Sequence, residues 1–139
     1  LALVKKKYYF QPIQSVDKLS VEYMASASGL GIMKQNSGKD NCLVRVQVSE
    51  LSPGLMDYRG NSGYFYEYDC DDIMNIREFC NNTHCQTIGL LGGKAMIAPL
   101  LDSGIRGVDR VVPIGHTLDF DLIWDGYNLV EKLTRIIHV

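Results

Sequence analysis

Short strand-like and helix-like segments alternate from Tyr64 to the end of the chain, and this alternation constrains the fold more than any other feature. Apolar, β-branched and aromatic residues dominate Tyr64–Tyr68, Gln86–Leu91 and Val108–Ile114, as is typical of strands. Helical spacing of apolar residues follows each of them, in residues 73–80, 94–101 and 128–137. Asp71 and Asp72 are expected to cap the first of these helices, and Pro99 either lies in the first turn of the second, which then starts late, or kinks it. Because strands that alternate with helices favour crossover connections, the sequence predicts an α/β fold with a mainly parallel sheet and flanking helices.

The region before Tyr64 is less regular. In residues 42–48, Val44, Val46 and Val48 alternate with polar residues, which predicts a strand with one buried face. Residues 5–10 suit a short strand with a basic lead, and a helix is expected to begin near Ser15 or Asp17 and to end before Gly29. Residues 35–41 and 49–63 have loop chemistry. We therefore divide the chain into an N-terminal segment, 1–41, and an α/β region, 42–139.

Composition excludes several classes of protein. The chain has 139 residues, of which 46% are hydrophobic and 22% charged, so it is not a disordered protein. A net charge of −2 argues against a binder of nucleic acid or of anionic membranes. Since no apolar run approaches the roughly 18 residues of a membrane span, none is expected. Four cysteines in a chain of this length are expected to be free thiols, so we predict a cytoplasmic protein, processed or excised because it begins with Leu1.

Two candidate motifs for metal or phosphate binding are incomplete. A zinc site could use the three cysteines and the histidine of residues 70–85, but the spacing lacks two ligand pairs; the residues are Cys70, Cys80, His84 and Cys85. A small zinc-binding domain therefore remains a minor alternative. The Gly-rich turn at residues 89–94 departs from a phosphate-binding loop at both ends, because Ile88 and Ala95 replace the required residues.

Two segments near the C-terminus are candidates for a binding site. His116 follows a predicted strand and is close in sequence to two aspartates, and ligands commonly bind beyond the carboxyl ends of parallel strands. A solvated histidine in a capped turn is the alternative to a catalytic base there. Trp124, Asp125 and Gly126 form either a turn, with Asp125 or Asn128 capping a helix, or a pocket wall.

The segments from Tyr64 onward resemble the acyl-CoA reductases typified by the fatty-acid reductase of the bacterial luminescence system, a branch of the aldehyde dehydrogenase superfamily. Their order and spacing carry the resemblance: Tyr64–Tyr68 running into Asp71-Asp72-Ile73, then Gln86-Thr87-Ile88, then residues 107–115 (GVDRVVPIG), then Trp124-Asp125-Gly126. Residues 42–63 fit more loosely, and residues 1–41 show no match. The resemblance covers the last third of such a reductase.

The resemblance implies reduction of a fatty acyl-CoA, or of an acyl group from a protein donor, to a fatty aldehyde with NADPH. A cysteine thiolate forms the acyl thioester and hydride then releases the aldehyde. The family's nucleophile and most of its nucleotide-binding segments lie upstream of the matched part, so this chain is expected to be the C-terminal part of the catalytic domain and to contain no catalytic residue. It would require the remainder of the same polypeptide and form a homo-oligomer.

The same resemblance implies which residues border the acyl pocket. The expected wall is His116, Trp124, Asp125 and Gly126, supported by Gln86 and Thr87 at a strand start. Many relatives have histidine where Trp124 stands, which argues against acid–base chemistry at that position here. A free-standing, non-catalytic α/β binding module is the main alternative, and it predicts a closed sheet without a long exposed apolar edge.

Overall fold

The computed structural model describes residues 1–38 and 41–138, and these form helices and small mixed sheets. The α/β content predicted from the sequence is confirmed. The chain divides into two compact units, Leu1–Asp69 (unit 1) and Cys70–Val139 (unit 2). The division after residue 41 that we predicted from the sequence falls inside unit 1, between its first two strands.

Unit 1 begins with two helices and continues with three strands. Its elements are α1 (Ala2–Lys7), α2 (Pro12–Ala27), β1 (Ile32–Ser37), β2 (Val44–Val48), a 3-10 helix (Pro53–Tyr58) and β3 (Tyr64–Glu67). The strand predicted for residues 5–10 was wrong, because Lys5–Lys7 belong to α1. Helix α2 begins earlier than expected: Pro12 occupies its first turn, and the Gln14 side chain accepts the Gln11 N–H at 2.8 Å.

The core of unit 1 lies on one face of its sheet. Strand β2 pairs antiparallel with β1 and parallel with β3. Val44 and Val46 are fully buried and Val48 nearly so, which confirms the predicted strand face; Leu55 and Tyr64 complete the cluster. The loop predicted for residues 35–41 was wrong for its first three residues, which belong to β1, and residues 39 and 40 lie outside the described residues.

Helix α2 buries two charged side chains in unit 1. The Lys18 Nζ donates a hydrogen bond to the Ser62 carbonyl at 2.9 Å and lies 4.3 Å from the centre of the Phe10 ring. Burial lowers the pKa of Lys18 below its ordinary value. Glu22 is also buried, its Oε2 has no hydrogen-bond partner within the described residues, and burial raises its pKa.

Unit 2 contains the segments that carry the reductase resemblance, except Tyr64–Tyr68, which belongs to unit 1. Its elements are a 3-10 helix (Ile73–Ile76) leading into α3 (Arg77–Thr83), β4 (Gln86–Leu90), a 3-10 helix (Lys94–Met96), α4 (Ala98–Asp102), β5 (Val108–Pro113), β6 (Ile123–Trp124), β7 (Tyr127–Asn128) and α5 (Leu129–Leu133). The Asp72 carboxylate accepts the Met74 N–H at 2.8 Å, which confirms the predicted cap. Pro99 lies in the first turn of α4, which confirms the late start of that helix.

The strands of unit 2 form two separate pairs. Strands β4 and β5 are parallel, whereas β6 and β7 form an antiparallel hairpin. Because β3 pairs with β2 instead of with β4, the described strands form small mixed sheets rather than one mainly parallel sheet. The last helix is shorter than predicted, since α5 ends at Leu133 and Ile136 is 97% exposed beyond it.

None of the helices in the described residues combines the length and the apolar character that a membrane crossing requires.

Candidate functional site

Strand β5 carries two adjacent charged residues within an otherwise apolar run. Asp109 and Arg110 follow Val108 and precede Val111, and successive side chains of a strand point to opposite faces. Both side chains are only partly exposed. Each of the two therefore organises a different group of residues around the strand.

Arg110 holds the loop after β5 and the β6–β7 hairpin together. Its guanidinium carbon lies 4.5 Å from the centre of the Trp124 ring, within the range of a cation–π interaction. Its Nη2 donates to the carbonyls of His116, Thr117 and Asp119 at 3.2–3.3 Å. Two residues predicted from the sequence, His116 and Trp124, are thus brought to the same side chain.

Asp109 lies between the hairpin turn and the end of α3. A Cβ added at Gly126 would lie 3.1 Å from its Oδ1, so the turn approaches the carboxylate closely. The Nε2 of His84 is 3.8 Å from its Oδ2. Asp125 and Gly126 have φ values of 48° and 76°, as a two-residue type I′ hairpin turn requires. The Asp-Gly pair therefore forms the turn that the sequence indicated, and Asn128, not Asp125, caps the following helix through the Glu131 N–H.

The two supporting residues predicted from the sequence lie on the neighbouring strand. In the β4–β5 register Gln86 is opposite Val108 and Thr87 is opposite Arg110, with an irregularity between them. Gln86 has a φ of 63°, and its N–H donates to the Gly107 carbonyl at 2.8 Å. All six candidates, Gln86, Thr87, His116, Trp124, Asp125 and Gly126, are therefore arranged around strand β5.

The His116 imidazole contacts the Asp119 carboxylate at the protein surface. Its Nδ1 lies 2.7 Å from the Oδ2 of Asp119, and both side chains are more than half exposed. The contact orients the imidazole ring. Because both side chains are more than half exposed, water reaches the pair and is not excluded from it.

An apolar groove of about 660 Å³ runs along β5 and α4. Its walls include Leu90, Ile97, Leu101 and Val111. The charged residues of the lining are of both signs: Lys94, Asp102, Asp109 and Arg110. None of the six residues predicted from the sequence lines it, although Arg110 connects the groove to His116 and Trp124. The groove was missed because it forms between a strand and a helix, and helical spacing does not show which part of a helix surface stays uncovered. The available signal was the charged pair inside the strand-like run at 108–113.

The residues considered for zinc binding are arranged differently. The Cys85 N–H donates to the Cys80 carbonyl at 3.1 Å, and the His84 Nε2 lies 3.8 Å from the Asp109 Oδ2. Across residues 1–38 and 41–138, no group of three or more histidine, cysteine or acidic side chains is positioned to hold a metal ion.

Comparison of the chain with models of protein families, with curated proteins and with solved structures finds no match. The resemblance to acyl-CoA reductases therefore remains a prediction.

Proposed function

We propose that this chain is the C-terminal portion of an aldehyde-dehydrogenase-like catalytic domain, belonging to an acyl-CoA reductase that converts a fatty acyl thioester to a fatty aldehyde with NADPH. The observation that carries the proposal is the apolar groove along β5. It is lined by α4 and by residues 108–113, which belong to the longest of the motifs on which the resemblance rests. A fatty acyl chain requires walls of this kind, and the groove volume is in the range of about 300–1,000 Å³ for ligand sites.

The aliphatic walls of the groove suit an acyl group. Leu90, Ile97 and Leu101 offer apolar contact to a hydrocarbon tail. The carboxylates of Asp102 and Asp109 balance the charges of Lys94 and Arg110 in the lining, so the proposal depends on the apolar walls and not on charge. Arg110 at the same time holds Trp124 and the loop at His116 beside the groove. The proposed role of these residues is to bind and orient the acyl group, not to react with it.

The remaining parts of the reaction are assigned to the rest of the same polypeptide. NADPH supplies hydride when bound, but the mostly apolar groove described here does not fit a dinucleotide, which needs many hydrogen-bond donors along its phosphates and sugars. No catalytic residue is assigned to this chain. The nucleophilic cysteine and the nucleotide site are proposed to lie in upstream segments.

Exposed apolar residues of unit 2 support the proposal that further protein covers it. Leu118, Phe120, Leu133 and Ile136 are each at least 72% exposed. We propose that additional parallel strands extend the β4–β5 pair in the whole catalytic domain, and that the reductase is a homo-oligomer. The proposed compartment is the cytoplasm, because the cysteines lack the pattern of a secreted disulfide scaffold.

A binding experiment tests the role of the groove. Trp124 is the single tryptophan and is linked to the groove through Arg110, so its fluorescence reports binding. A long-chain acyl-CoA should change this fluorescence at concentrations where free CoA and acetyl-CoA do not. Leu101→Ala removes a groove wall that is 43% exposed and should weaken binding about fivefold, since about 1 kcal/mol of apolar contact is lost.

Leu91→Ala is the matched control. Leu91 is 77% exposed and lies outside the groove lining, so this variant should bind acyl-CoA as the wild type does. Equal affinities of the two variants, or an equal response to acetyl-CoA, would contradict the proposed acyl site.

Turnover tests the reductase itself. A polypeptide that carries this sequence together with its upstream segments should oxidise NADPH when a long-chain acyl-CoA is added and should release aldehyde. Absence of aldehyde from a folded polypeptide that binds acyl-CoA would refute the reductase assignment and retain only acyl binding.

A further inference from the structure

The C-terminal end of α3 brings two cysteines of unit 2 together. His84 adopts the left-handed conformation, with a φ of 49°, and the N–H groups of His84 and Cys85 both donate to the Cys80 carbonyl. The Cys85 bond is 3.1 Å long and closes a six-residue helix end of the Schellman type. In such a helix end the side chains of the first and last residues of the closure frequently contact each other, and here those residues are Cys80 and Cys85.

The two thiols differ in their access to solvent. Cys80 is 3% exposed, whereas Cys85 is an exposed residue at the start of the turn into β4. The Cys85 sulfur lies 3.9 Å from the Thr87 carbonyl oxygen. Cys85 is therefore accessible to an external reagent, whereas Cys80 is buried.

The interaction of the two thiols makes their reactivities unequal. A hydrogen bond between them lowers the pKa of Cys85 to about 7, and together with burial it raises the pKa of Cys80. A larger share of Cys85 than of an ordinary cysteine is therefore thiolate near pH 7. Since a less basic thiolate is also a weaker nucleophile, the gain in rate is smaller than the gain in thiolate.

We propose that Cys80 and Cys85 form a thiol–disulfide exchange site that reacts with a low-molecular-weight disulfide, such as oxidised glutathione, and closes to an internal disulfide. The Cys85 thiolate attacks one sulfur of glutathione disulfide, forms a mixed disulfide and releases one glutathione thiolate. The Cys80 sulfur then loses its proton to solvent, attacks the Cys85 sulfur and displaces the second glutathione thiolate. Two protein thiols are oxidised and one glutathione disulfide is reduced to two thiols.

The proposed disulfide would act on the corner next to the candidate site. Cys85 immediately precedes Gln86 and Thr87, and His84 between the two cysteines faces Asp109. The bond would tie the end of α3 to the start of β4. The exchange site would exist whether or not the groove binds an acyl group, because it is formed by the end of α3 alone.

Mass spectrometry of the purified chain tests the inference. Trypsin releases residues 78–94 as one peptide that contains both cysteines. After incubation with oxidised glutathione at pH 7 and alkylation of free thiols, this peptide should be unalkylated, free of glutathione and two hydrogen atoms lighter. A peptide alkylated at both cysteines, from protein that remains folded by circular dichroism, would overturn the proposal.

Three variants separate the steps. Cys80→Ala keeps the buried position apolar and should stop the reaction at one glutathione on Cys85, whereas Cys85→Ser should abolish both products on this peptide. Cys70→Ser removes an exposed cysteine outside the corner and should leave the internal disulfide unchanged. Disappearance of the disulfide in Cys70→Ser, or equal glutathione labelling of Cys80 in Cys85→Ser, would refute the assigned order.

Discussion

Replacing Gly107 with alanine is expected to disrupt the corner where the end of α3 meets the start of β5. A Cβ at this position would lie 1.9 Å from the Cys80 carbonyl oxygen and 2.7 Å from the Asn81 Cα. These are backbone atoms of a helix end, so they cannot rotate aside as a flexible side chain can. Because real Cβ atoms essentially never approach closer than 3.0 Å, the two segments must separate by about 1 Å.

The hydrogen bonds that cross this contact set the magnitude of the effect. The Asn81 Oδ1 accepts the N–H groups of Arg106 and Gly107 at 2.8 and 2.9 Å, and the Gly107 carbonyl accepts the Gln86 N–H at 2.8 Å. At about 1 kcal/mol each, loss of these three bonds lowers the free energy of unfolding by about 3 kcal/mol. For a unit of this size the melting temperature should fall by roughly 12–24 °C.

Tryptophan fluorescence measures this loss directly. Trp124 is the single tryptophan and lies in unit 2, so its emission follows the unfolding of the unit that contains Gly107. Gly93→Ala is the matched control, because no heavy atom of the described residues lies within 4 Å of the added Cβ and the φ of −82° suits alanine. Its melting temperature should equal that of the wild type or exceed it slightly. Melting of Gly107→Ala within a few degrees of Gly93→Ala would refute the steric argument.

Two further substitutions test the electrostatics of each unit. Arg110→Met removes the contact with Trp124 and three hydrogen bonds to loop carbonyls, so tryptophan emission should shift to the red and the free energy of unfolding of unit 2 should fall by about 1–2 kcal/mol. Arg106→Met, at an exposed position, is the control and should change neither quantity. Unchanged emission of Arg110→Met would contradict the role given to Arg110. Since burial raises the folded-state pKa of Glu22, its contribution to stability is fully present below the unfolded pKa of about 4.3 and is lost as the pH rises through the folded pKa. Glu22→Gln should therefore stabilise unit 1 at pH 7 and not near pH 4, as measured by tyrosine circular dichroism during urea unfolding. Glu50→Gln, at an exposed position, should show no such difference between the two pH values. An effect of Glu22→Gln that is the same at both pH values would contradict this reasoning.

Local signals in the sequence were sufficient for several elements. The alternation around Val44 and Val46 predicted a strand with one buried face, and Asp72 and Pro99 marked helix starts that the structure confirms. The Asp125-Gly126 pair predicted a turn, and it forms one. Each of these features depends on neighbours within a few positions, which side-chain periodicity and capping describe directly.

The errors share a different origin. The predicted strand at residues 5–10 depends on the β-forming tyrosines that follow the lysines. Lys5–Lys7 instead belong to a helix, whose first turn contains the hydrogen bond from the Lys5 N–H to the Leu1 carbonyl. The last helix was predicted too long because Ile136 and Ile137 fit a helical face, but both residues are exposed beyond its end. Amphipathic spacing shows which residues could share a face and not whether a packed surface exists to bury them.

By itself, the sequence determined an α/β protein, the positions of β2, β4 and β5, and six residues that cluster around β5. Only the tertiary structure decided that β3 pairs with β2, that Arg110 joins His116 to Trp124, and that an apolar groove runs beside them. Strand partners and pocket walls depend on how whole elements pack against one another. Their choice depends on the competition among all possible long-range contacts, whereas a strand or a cap is specified by its immediate neighbours.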